Sequence, residues 1–504
     1  MGRIGLGLVL SISLGAAAAQ ATEPVDPAAE TYRKGLALQK SRKWIAARRA
    51  FRRLIKKWPD SEYVEQAAVR CGDNAYLGTV RLWTGGPPER RIDVAVMGDG
   101  FTIAGSDQAK EEKWAELCTE VLFHEKAYSE YRNYFNFYYV RLASLEEGVD
   151  PQLSPEERAK IEKRNRQRRR KKKIDFNTAL DAKAAGPQGQ VAMNRSLVYK
   201  WLEIANKDVP GCGDDRYVIA FAKFGRLGMG GGGIANVGRP DKSITTHEFG
   251  HAFVRLLDEY TGNPNPPPPG FARQLRAANA SMTPDPDKVP WAHMLKAHVK
   301  GVGIYEGGAT FNKGVWRPAR TCAMNAAGAT AYCPVCREAA ILVIYEYVDP
   351  IDATEPARGG EVAAVQGDKT MILVTPMQPR RHSLKARWFV ALLAPTTQGG
   401  DGDDYEPDPE PESAPPRQMF AFGGPRARMN RSEYDQPPKG KPSKLGKRIA
   451  GKPRRFAFFA GKLAPGRYTV TVEVRDPTPW VIQDKRHLLM QRASWTVTVA
   501  PKKK

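Results

Sequence analysis

Hydrophobic and small residues recur at helical spacing near the start of the chain. In the segment 28–80 they include Gly35, Ala47 and Phe51, a pattern that predicts helices with one apolar face. Together with Pro59, these residues also match the spacing of a tetratricopeptide repeat. The segment is therefore predicted to be a short helical module, either one such repeat or a generic amphipathic helical hairpin.

Residues 88–350 show a mixed pattern of helices and strands. The apolar run at 92–97 ends in a Gly-Asp-Gly turn signal and predicts a buried strand. A helix is predicted over 108–123, and the aromatic and β-branched run at 135–142 predicts a second strand. Strands that alternate with helices indicate an α/β domain.

The pattern changes between residues 355 and 500 to short strands with alternating apolar and polar positions. Such strands are typical of an all-β sandwich of the immunoglobulin-like type. Residues 397–455 interrupt this pattern with an acidic block and then a basic block rich in Pro and Gly, which predicts a disordered linker. The predicted strands cover residues 370–374, 384–393, 467–474 and 493–499.

The chain has a formal net charge of +23 at pH 7, but this charge is unevenly distributed. Residues 32–57 contain eleven basic and no acidic residues, and the segments 156–173 and 417–455 are also strongly basic. These three segments carry more positive charge than the whole chain, so the remainder is mildly acidic. We therefore expect only these segments to contact a polyanion, and an anionic cell-surface polymer suits an exported protein better than nucleic acid does.

The segment 151–173 is predicted to be a basic insertion in the α/β domain. Ser154 and Glu157 have the spacing of a capping box and predict the start of a helix. The Lys/Arg run that follows has no apolar periodicity, so it is predicted to form either a solvated helix or a disordered loop.

Residues 1–21 are typical of a secretory signal peptide. Arg3 supplies the positive charge, residues 4–19 are apolar or small, and Ala19-Gln20-Ala21 fits a cleavage site. The mature chain is predicted to be exported to the periplasm, the cell surface or the medium, and an uncleaved N-terminal anchor is the alternative. No later apolar run reaches about 18 residues, so no transmembrane span is expected in the mature chain.

The most informative motif is HEFGH at residues 247–251. Residues four apart share one face of a helix, so His247 and His251 can bind the same metal ion. Zinc suits two imidazoles in a tetrahedral site that keeps one position for water. Glu248 is then the predicted general base that takes the proton of this water.

Such a site needs a third protein ligand. The position six residues after His251 is Leu257, so a third histidine at that spacing is absent. Asp258 follows directly and is the favoured ligand, with Glu259 as the alternative.

Several other side chains are candidates for supporting roles. Tyr260 and Tyr305 are candidate phenolic donors to an oxyanion, with a structural role as the alternative for each. Met324 is predicted to pack near the metal ligands, with ordinary core packing as the alternative. Metal binding by the CxxC pair is one reading of the cysteines, but export favours disulfides among Cys212, Cys322, Cys333 and Cys336.

Several blocks together resemble the bacterial IgA-peptidase-type zinc metallopeptidases. The resemblance covers roughly residues 90–350 and implies a zinc-dependent peptidase domain of metzincin-like build, often followed by a β-sandwich. It also implies that His247 and His251 are zinc ligands, that Glu248 is the base, that Asp258 is the third ligand and that Met324 lies in a methionine turn. The basic insertion and the linker depart from the family pattern, so the resemblance does not identify the substrate. The blocks are VMGDGFT at 96–102, EYRNYFNFYYVR at 130–141, THEFGHAFVRLLDEY at 246–260, YEGGATFNKGVWRP at 305–318, and CAMN with YCPVCREA at 322–339.

The sequence thus predicts a multidomain protein. An α/β, metzincin-like zinc peptidase core is preceded by a short helical module and followed by an all-β immunoglobulin-like sandwich. The predicted function is that of an exported endopeptidase that hydrolyses a protein or peptide substrate with one catalytic zinc ion. The alternatives are a catalytically silent binding or scaffold protein of the cell envelope and a polyanion-binding surface protein.

Overall fold

The computed structural model describes residues 26–169, 171–185, 189–325, 328–393, 438–449 and 454–502. The chain divides into two compact units, one within residues 1–72 and the other within residues 73–504. The predicted signal peptide and the larger part of the predicted linker, residues 394–437, lie outside the described residues.

The first unit consists of three helices: α1 (Pro27–Lys40), α2 (Trp44–Lys57) and α3 (Val64–Cys71). α1 begins after Asp26, whose carboxylate accepts hydrogen bonds from two amides of the first turn. α1 and α2 approach closely at Gly35, where an added Cβ would overlap the ring of Phe51. The helices end at Cys71 rather than at residue 80, because residues 75–84 form a strand of the second unit.

The second unit contains the other helices and all the strands of the described residues. Across the described ranges, no helix combines the length and the apolar character that crossing a membrane would require. The α-helices are α4 (Gly105–Leu122), α5 (Lys126–Glu130), α6 (Pro155–Gln167), α7 (Arg195–Asp208), α8 (Lys242–Phe249), α9 (Phe271–Gln274), α10 (Ala292–Lys296) and α11 (Pro334–Tyr347). The strands are β1 (Ala75–Thr84), β2 (Ile92–Asp99), β3 (Phe135–Ala143), β4 (Lys183–Ala185), β5 (Gln190–Ala192), β6 (Tyr217–Ala222), β7 (Met229–Gly231), β8 (Ile234–Val237), β9 (Thr261–Asn263), β10 (Tyr305–Gly308), β11 (Thr310–Arg317), β12 (Ile351–Glu355), β13 (Glu361–Val365), β14 (Met371–Pro376), β15 (Lys385–Leu392), β16 (Lys441–Ser443), β17 (Gly446–Ile449), β18 (Arg455–Phe459), β19 (Gly466–Arg475) and β20 (Met490–Ala500).

A six-stranded sheet with the order β1-β3-β2-β6-β8-β7 forms the centre of the α/β part. The inner strands β3, β2, β6 and β8 are parallel, and the edge strands β1 and β7 are antiparallel to their neighbours. Because side chains alternate across a strand, Val94 and Val96 of β2 belong to one core, and Ala95 and Met97 belong to another on the opposite face. The strands and the helix predicted for this part are confirmed as β2, β3 and α4.

The basic insertion contains α6, and no residue of this helix is buried. The predicted capping box is present. The Ser154 hydroxyl accepts a hydrogen bond from the Glu157 amide at 3.1 Å, and the Glu157 carboxylate accepts one from the Ser154 amide at 2.8 Å. Of the two predicted alternatives, residues 155–167 therefore form the solvated helix.

Two further sheets pack face to face in the C-terminal part of the unit. Their strand orders are β12-β14-β18-β17 and β13-β20-β19-β15-β16. The ring centroids of Trp388 in β15 and Phe458 in β18 lie 5.1 Å apart, and both residues belong to the core that extends beneath the six-stranded sheet. The four predicted strands are confirmed as β14, β15, β19 and β20.

The predicted disordered linker extends too far toward the C-terminus. Residues 441–449 form β16 and β17, which pair with β15 and β18. Gly446 lies against the ring of Trp388, and Leu445 packs on the core. These contacts order a segment whose charged composition alone predicts disorder.

A buried hydrogen-bond network joins the two face-to-face sheets to the α/β part. Asp476 accepts hydrogen bonds from the hydroxyls of Tyr131 at 2.8 Å and Tyr345 at 2.7 Å. The other oxygen of Asp476 lies 2.7 Å from His382 Nε2, and His382 Nδ1 lies 2.8 Å from Glu130. Burial lowers the pKa of His382, but the two carboxylates raise it overall and so favour the charged imidazole.

We expect Asp476→Ala to lower the free energy of unfolding by about 3–5 kcal/mol, because it leaves buried donors without their acceptor. Tyr131→Phe removes a single hydrogen bond of the same network and should cost only about 1 kcal/mol. Urea unfolding followed by tryptophan fluorescence measures both variants. If Asp476→Ala is as stable as the wild type, the network does not hold these parts together.

Candidate metal centre

The HExxH segment lies across a junction between two kinds of helix. α8 begins after Asp241, whose carboxylate accepts hydrogen bonds from two amides of the first turn, both at 2.8 Å. After Phe249 the helix continues as a π-helical turn, Gly250–Val254. This turn ends at Arg255, which has a left-handed φ of 64°, and the chain then passes back beside the helix.

Three atoms of the kind that bind metals converge at this junction. The Nε2 atoms of His247 and His251 are 3.0 Å apart. Asp258 Oδ1 lies 3.0 Å from His247 Nε2 and 3.2 Å from His251 Nε2. The three side chains are only 13–21% exposed, so the site is partly buried.

Backbone carbonyls fix the orientation of both imidazoles. His247 Nδ1 lies 2.9 Å from the carbonyl oxygen of Ala323, and His251 Nδ1 lies 2.6 Å from that of Leu256. A carbonyl oxygen only accepts hydrogen bonds, so each Nδ1 must be the donor. Each neutral ring therefore presents an unprotonated Nε2 toward Asp258, which is the tautomer a metal requires.

This arrangement fits a zinc ion. Zinc bonds of about 2.0–2.1 Å in a tetrahedral site place neighbouring ligand atoms roughly 3.3 Å apart. The observed separations of 3.0–3.2 Å are close to this value. Two imidazoles and a carboxylate also form a donor set that zinc prefers, and three protein ligands leave a fourth position for water or substrate.

Glu248 lies beside the histidines and against the glycine-rich edge strand. A carboxylate oxygen of Glu248 is within 4.8 Å of the ligand nitrogens of both histidines, and the residue is buried. Burial raises the pKa of Glu248, and the two imidazoles offset this rise only in part. An added Cβ at Gly228 or Gly230 would overlap Glu248, so the glycines provide the space that the glutamate occupies.

Met324 lies against the same junction and is fully buried. An added Cβ at Gly250, between the two histidines, would lie 2.8 Å from Met324 Sδ. The carbonyl of Met324 also accepts a hydrogen bond from the Glu259 amide at 2.6 Å. Met324 therefore contacts both the helix that carries the histidines and the segment that carries Asp258.

Glu259, the alternative third ligand, faces a different cluster. Its Oε1 atom lies 3.1 Å from Cys336 Sγ and accepts a hydrogen bond from Asn279 at 3.0 Å. Burial raises the pKa of Glu259 to about 8. Cys322 and Cys333 complete this cluster, whose ligand-type atoms all lie within 4.8 Å of one another.

The structure does not contain the predicted disulfides. All six cysteines lie within the described residues, and all are free thiols. Cys212 belongs to the core on the opposite face of the six-stranded sheet from Cys322, Cys333 and Cys336, so it is too far away to pair with them. The prediction was based on export and spacing, and neither indicates which face of the sheet a cysteine occupies.

The two candidate tyrosines have different surroundings. The ring of Tyr260 is nearly parallel to that of His247, with the centroids 6.1 Å apart. Burial and the neighbouring Asp258 carboxylate raise the pKa of Tyr260. Tyr305 lies in β10. Its ring centroid is 5.2 Å from the guanidinium carbon of Arg320. Of the two, Tyr260 is the one beside the histidine pair.

The charges of the site are strongly coupled. Burial lowers the pKa of His247, but the hydrogen bond to Asp258 and the charge of Glu248 raise it to about 9. Burial raises the pKa of Asp258, but its hydrogen bonds with both histidines hold it well below its usual range. A metal ion must therefore displace a proton from His247, and acid weakens metal binding.

One region of the chain matches a known peptidase family. Residues 80–165 match the family IgA Peptidase M64. The match covers well under half of the chain, extends from β1 to α6, and ends before the HExxH segment. No curated protein matches the chain. The similarity supports a peptidase of the IgA-peptidase type, and the matched region includes β2 and β3 of the six-stranded sheet.

Sequence reasoning missed the groups that hold the ligands in place. The carbonyls of Ala323 and Leu256 orient the imidazoles, and no sequence pattern identifies a carbonyl acceptor. Asn279 holds the segment before Asp258, because it accepts from the Leu257 amide at 3.0 Å and donates to the Leu257 carbonyl at 2.8 Å. Asn279 lies far from the motif in sequence and belongs to no motif of its own.

We expect Gly230→Ala to reduce both stability and zinc content, because the added methyl group would overlap the backbone of Glu248 and approach His251. Overpacking of this kind costs about 1–3 kcal/mol. Gly262→Ala is the matched control, since an added Cβ there meets nothing within 4 Å. Thermal unfolding and metal analysis of both variants test this expectation, and equal behaviour of the two would contradict it.

Proposed function

We propose that this chain is an exported zinc-dependent endopeptidase. The observation that carries the proposal is the convergence of two imidazole nitrogens and a carboxylate oxygen, 3.0–3.2 Å apart, beside a buried glutamate. The match to a peptidase family supports a protein or peptide as the substrate. Export rests on the signal peptide predicted at residues 1–21.

His247, His251 and Asp258 would hold the ion. A zinc ion bound there supplies Lewis acidity and lowers the pKa of its water toward about 7. The carbonyls that accept from both Nδ1 atoms keep the rings in the required orientation without any rearrangement.

Glu248 is suited to carry the proton. Its carboxylate takes a proton from the water that attacks the carbonyl carbon of the scissile peptide bond. It then gives this proton to the leaving nitrogen as the C–N bond breaks. A carboxylate whose pKa is raised by burial is a better base than an exposed one, and it can also return the proton.

Tyr260 is suited to stabilise the negative charge that develops on the carbonyl oxygen. Its ring packs beside His247, and the residue is 41% exposed, so a substrate can reach it. The raised pKa keeps the phenol protonated, so that it can donate a hydrogen bond.

The edge strand β7 offers a docking position for an extended substrate. It forms the edge of the six-stranded sheet and pairs with β8. Gly230 in this strand lies against Glu248 and His251. An extended peptide that adds to this edge would pass directly by the site, which favours cleavage within a chain rather than at its end.

We expect Glu248→Gln to reduce kcat by about 10²–10⁴-fold or more, because the amide cannot accept the proton. Zinc content should not change, since Glu248 is not a ligand in the proposal. Glu203→Gln, an exposed position on α7, is the matched control. Cleavage of a mixed peptide library, together with metal analysis, measures these effects.

Two results would contradict this assignment in different ways. Undiminished cleavage by Glu248→Gln would exclude the glutamate as the base. A wild-type protein that neither binds zinc nor cleaves any peptide would favour the silent scaffold instead.

We expect Tyr260→Phe to lower kcat by about 10²–10³-fold with little change in zinc content, because it removes one donor to the oxyanion. Tyr305→Phe should leave the rate near that of the wild type. Steady-state kinetics on one cleaved peptide compares the two, and similar rates for both variants would remove Tyr260 from the mechanism.

A further inference from the structure

A second group of potential metal ligands lies next to the proposed catalytic site. It consists of one carboxylate and three thiols, and each of the four residues is at most 4% exposed. Their ligand-type atoms all lie within 4.8 Å of one another. The four residues are Glu259, Cys322, Cys333 and Cys336.

The protein alone does not satisfy this cluster. Glu259 Oε1 contacts Cys336 and Asn279, but Oε2 is buried and has no hydrogen-bond partner. A buried carboxylate with an unpaired oxygen is costly to the fold. The unpaired oxygen belongs to the side chain that faces the three sulfurs, so the cluster offers four electron-pair donors around one point.

We propose that Glu259, Cys322, Cys333 and Cys336 hold a second zinc ion with a structural role. Thiolates and a carboxylate are both zinc ligands, and four of them complete a tetrahedral shell. A site with four protein ligands and no room for water cannot activate a nucleophile. The second ion would therefore stabilise the fold rather than take part in the reaction.

A disulfide accounts for the cluster less well than a metal does. The three sulfurs are close together, so any one disulfide uses only two of them and still leaves Glu259 Oε2 without a partner. One backbone donor is already in place for a metal-bound thiolate, because the Cys333 amide donates to Cys322 Sγ at 3.3 Å. Cys333 occupies the N-cap position of α11, and Cys336 lies in the first turn of that helix, where the helix dipole favours negative charge.

The second site would also position a ligand of the first. Glu259 follows Asp258 directly, and its amide donates to the carbonyl of Met324, two residues after Cys322. A metal bound by Glu259 and Cys322 would fix the backbone between them and thereby hold Asp258 toward the histidines. This consequence rests on the proposed function, whereas the presence of the second ion does not.

The metal content of the wild-type protein tests the proposal directly. We expect two zinc ions per chain after purification without added reductant. X-ray absorption at the zinc edge should contain a sulfur shell at about 2.3 Å as well as a nitrogen and oxygen shell at about 2.0–2.1 Å. Zinc without sulfur neighbours, or a disulfide within the cluster found by mass spectrometry, would overturn the proposal.

Two variants test the individual ligands. Cys336→Ser and Glu259→Gln should each lose about one zinc ion per chain, and Glu259→Gln should also weaken zinc binding at the histidine site by about 10–100-fold. Cys212→Ser, a buried cysteine outside the cluster, is the matched control and should retain both ions. If Cys336→Ser and Glu259→Gln retain as much zinc as this control, the ligand assignment is wrong. If these variants do not fold, the sulfur shell of the wild type decides the question.

The double variant His247→Ala/His251→Ala separates this proposal from the proposed function. It should retain one zinc ion with a sulfur shell. A wild-type protein with sulfur-bound zinc but no peptidase activity would contradict the proposed function alone. A wild-type protein that cleaves peptides but lacks sulfur-bound zinc would contradict the second site alone.

Discussion

The structure of the site depends on two hydrogen bonds from imidazoles to main-chain carbonyls. They make Nδ1 the donor in both His247 and His251, so that both Nε2 atoms face Asp258 and can bind either a proton or a metal ion. Three electron-pair donors about 3 Å apart repel one another unless a proton or a cation lies between them. A proton on His247 meets this requirement until a metal ion displaces it, and the surrounding contacts hold the three atoms in place for that exchange.

Two local features of the backbone provide this support. The helix changes to a π-helical turn after Phe249 and ends at Arg255 in a left-handed conformation, a combination found at functional sites. As a result, the carbonyl of Leu256 reaches His251 Nδ1 in the same segment. Glycines supply the close approaches: Gly250 accommodates Met324, and Gly230 accommodates the helix that carries Glu248.

The sequence predicts those elements whose pattern lies within one short segment of the chain. Apolar runs and turn signals predict β2 and β3, two-residue alternation predicts the strands after residue 355, and a four-residue spacing on one helix face predicts the histidine pair. The choice between Asp258 and Glu259 could not be derived this way, because it depends on where the chain turns after Arg255. Which face of the sheet Cys212 lies on, and whether residues 441–449 form ordered strands, also depend on packing between distant segments. The hydrogen bonds between Asn279 and Leu257 cannot be predicted from the sequence for the same reason.

The neighbouring carboxylates Asp258 and Glu259 show how one backbone segment can serve two clusters. The shorter Asp258 side chain reaches the imidazoles and remains partly exposed, whereas Glu259 is directed into the core toward the cysteines. Hydrogen bonds on both sides of Asp258 fix these roles, because Asn279 holds Leu257 and the carbonyl of Met324 accepts from the Glu259 amide. An open, partly solvated carboxylate suits a site that must exchange water and substrate, and a closed one suits a site that only holds the fold. The difference in burial between Asp258 and Glu259 thus assigns the first residue to the proposed catalytic site and the second to the proposed structural site.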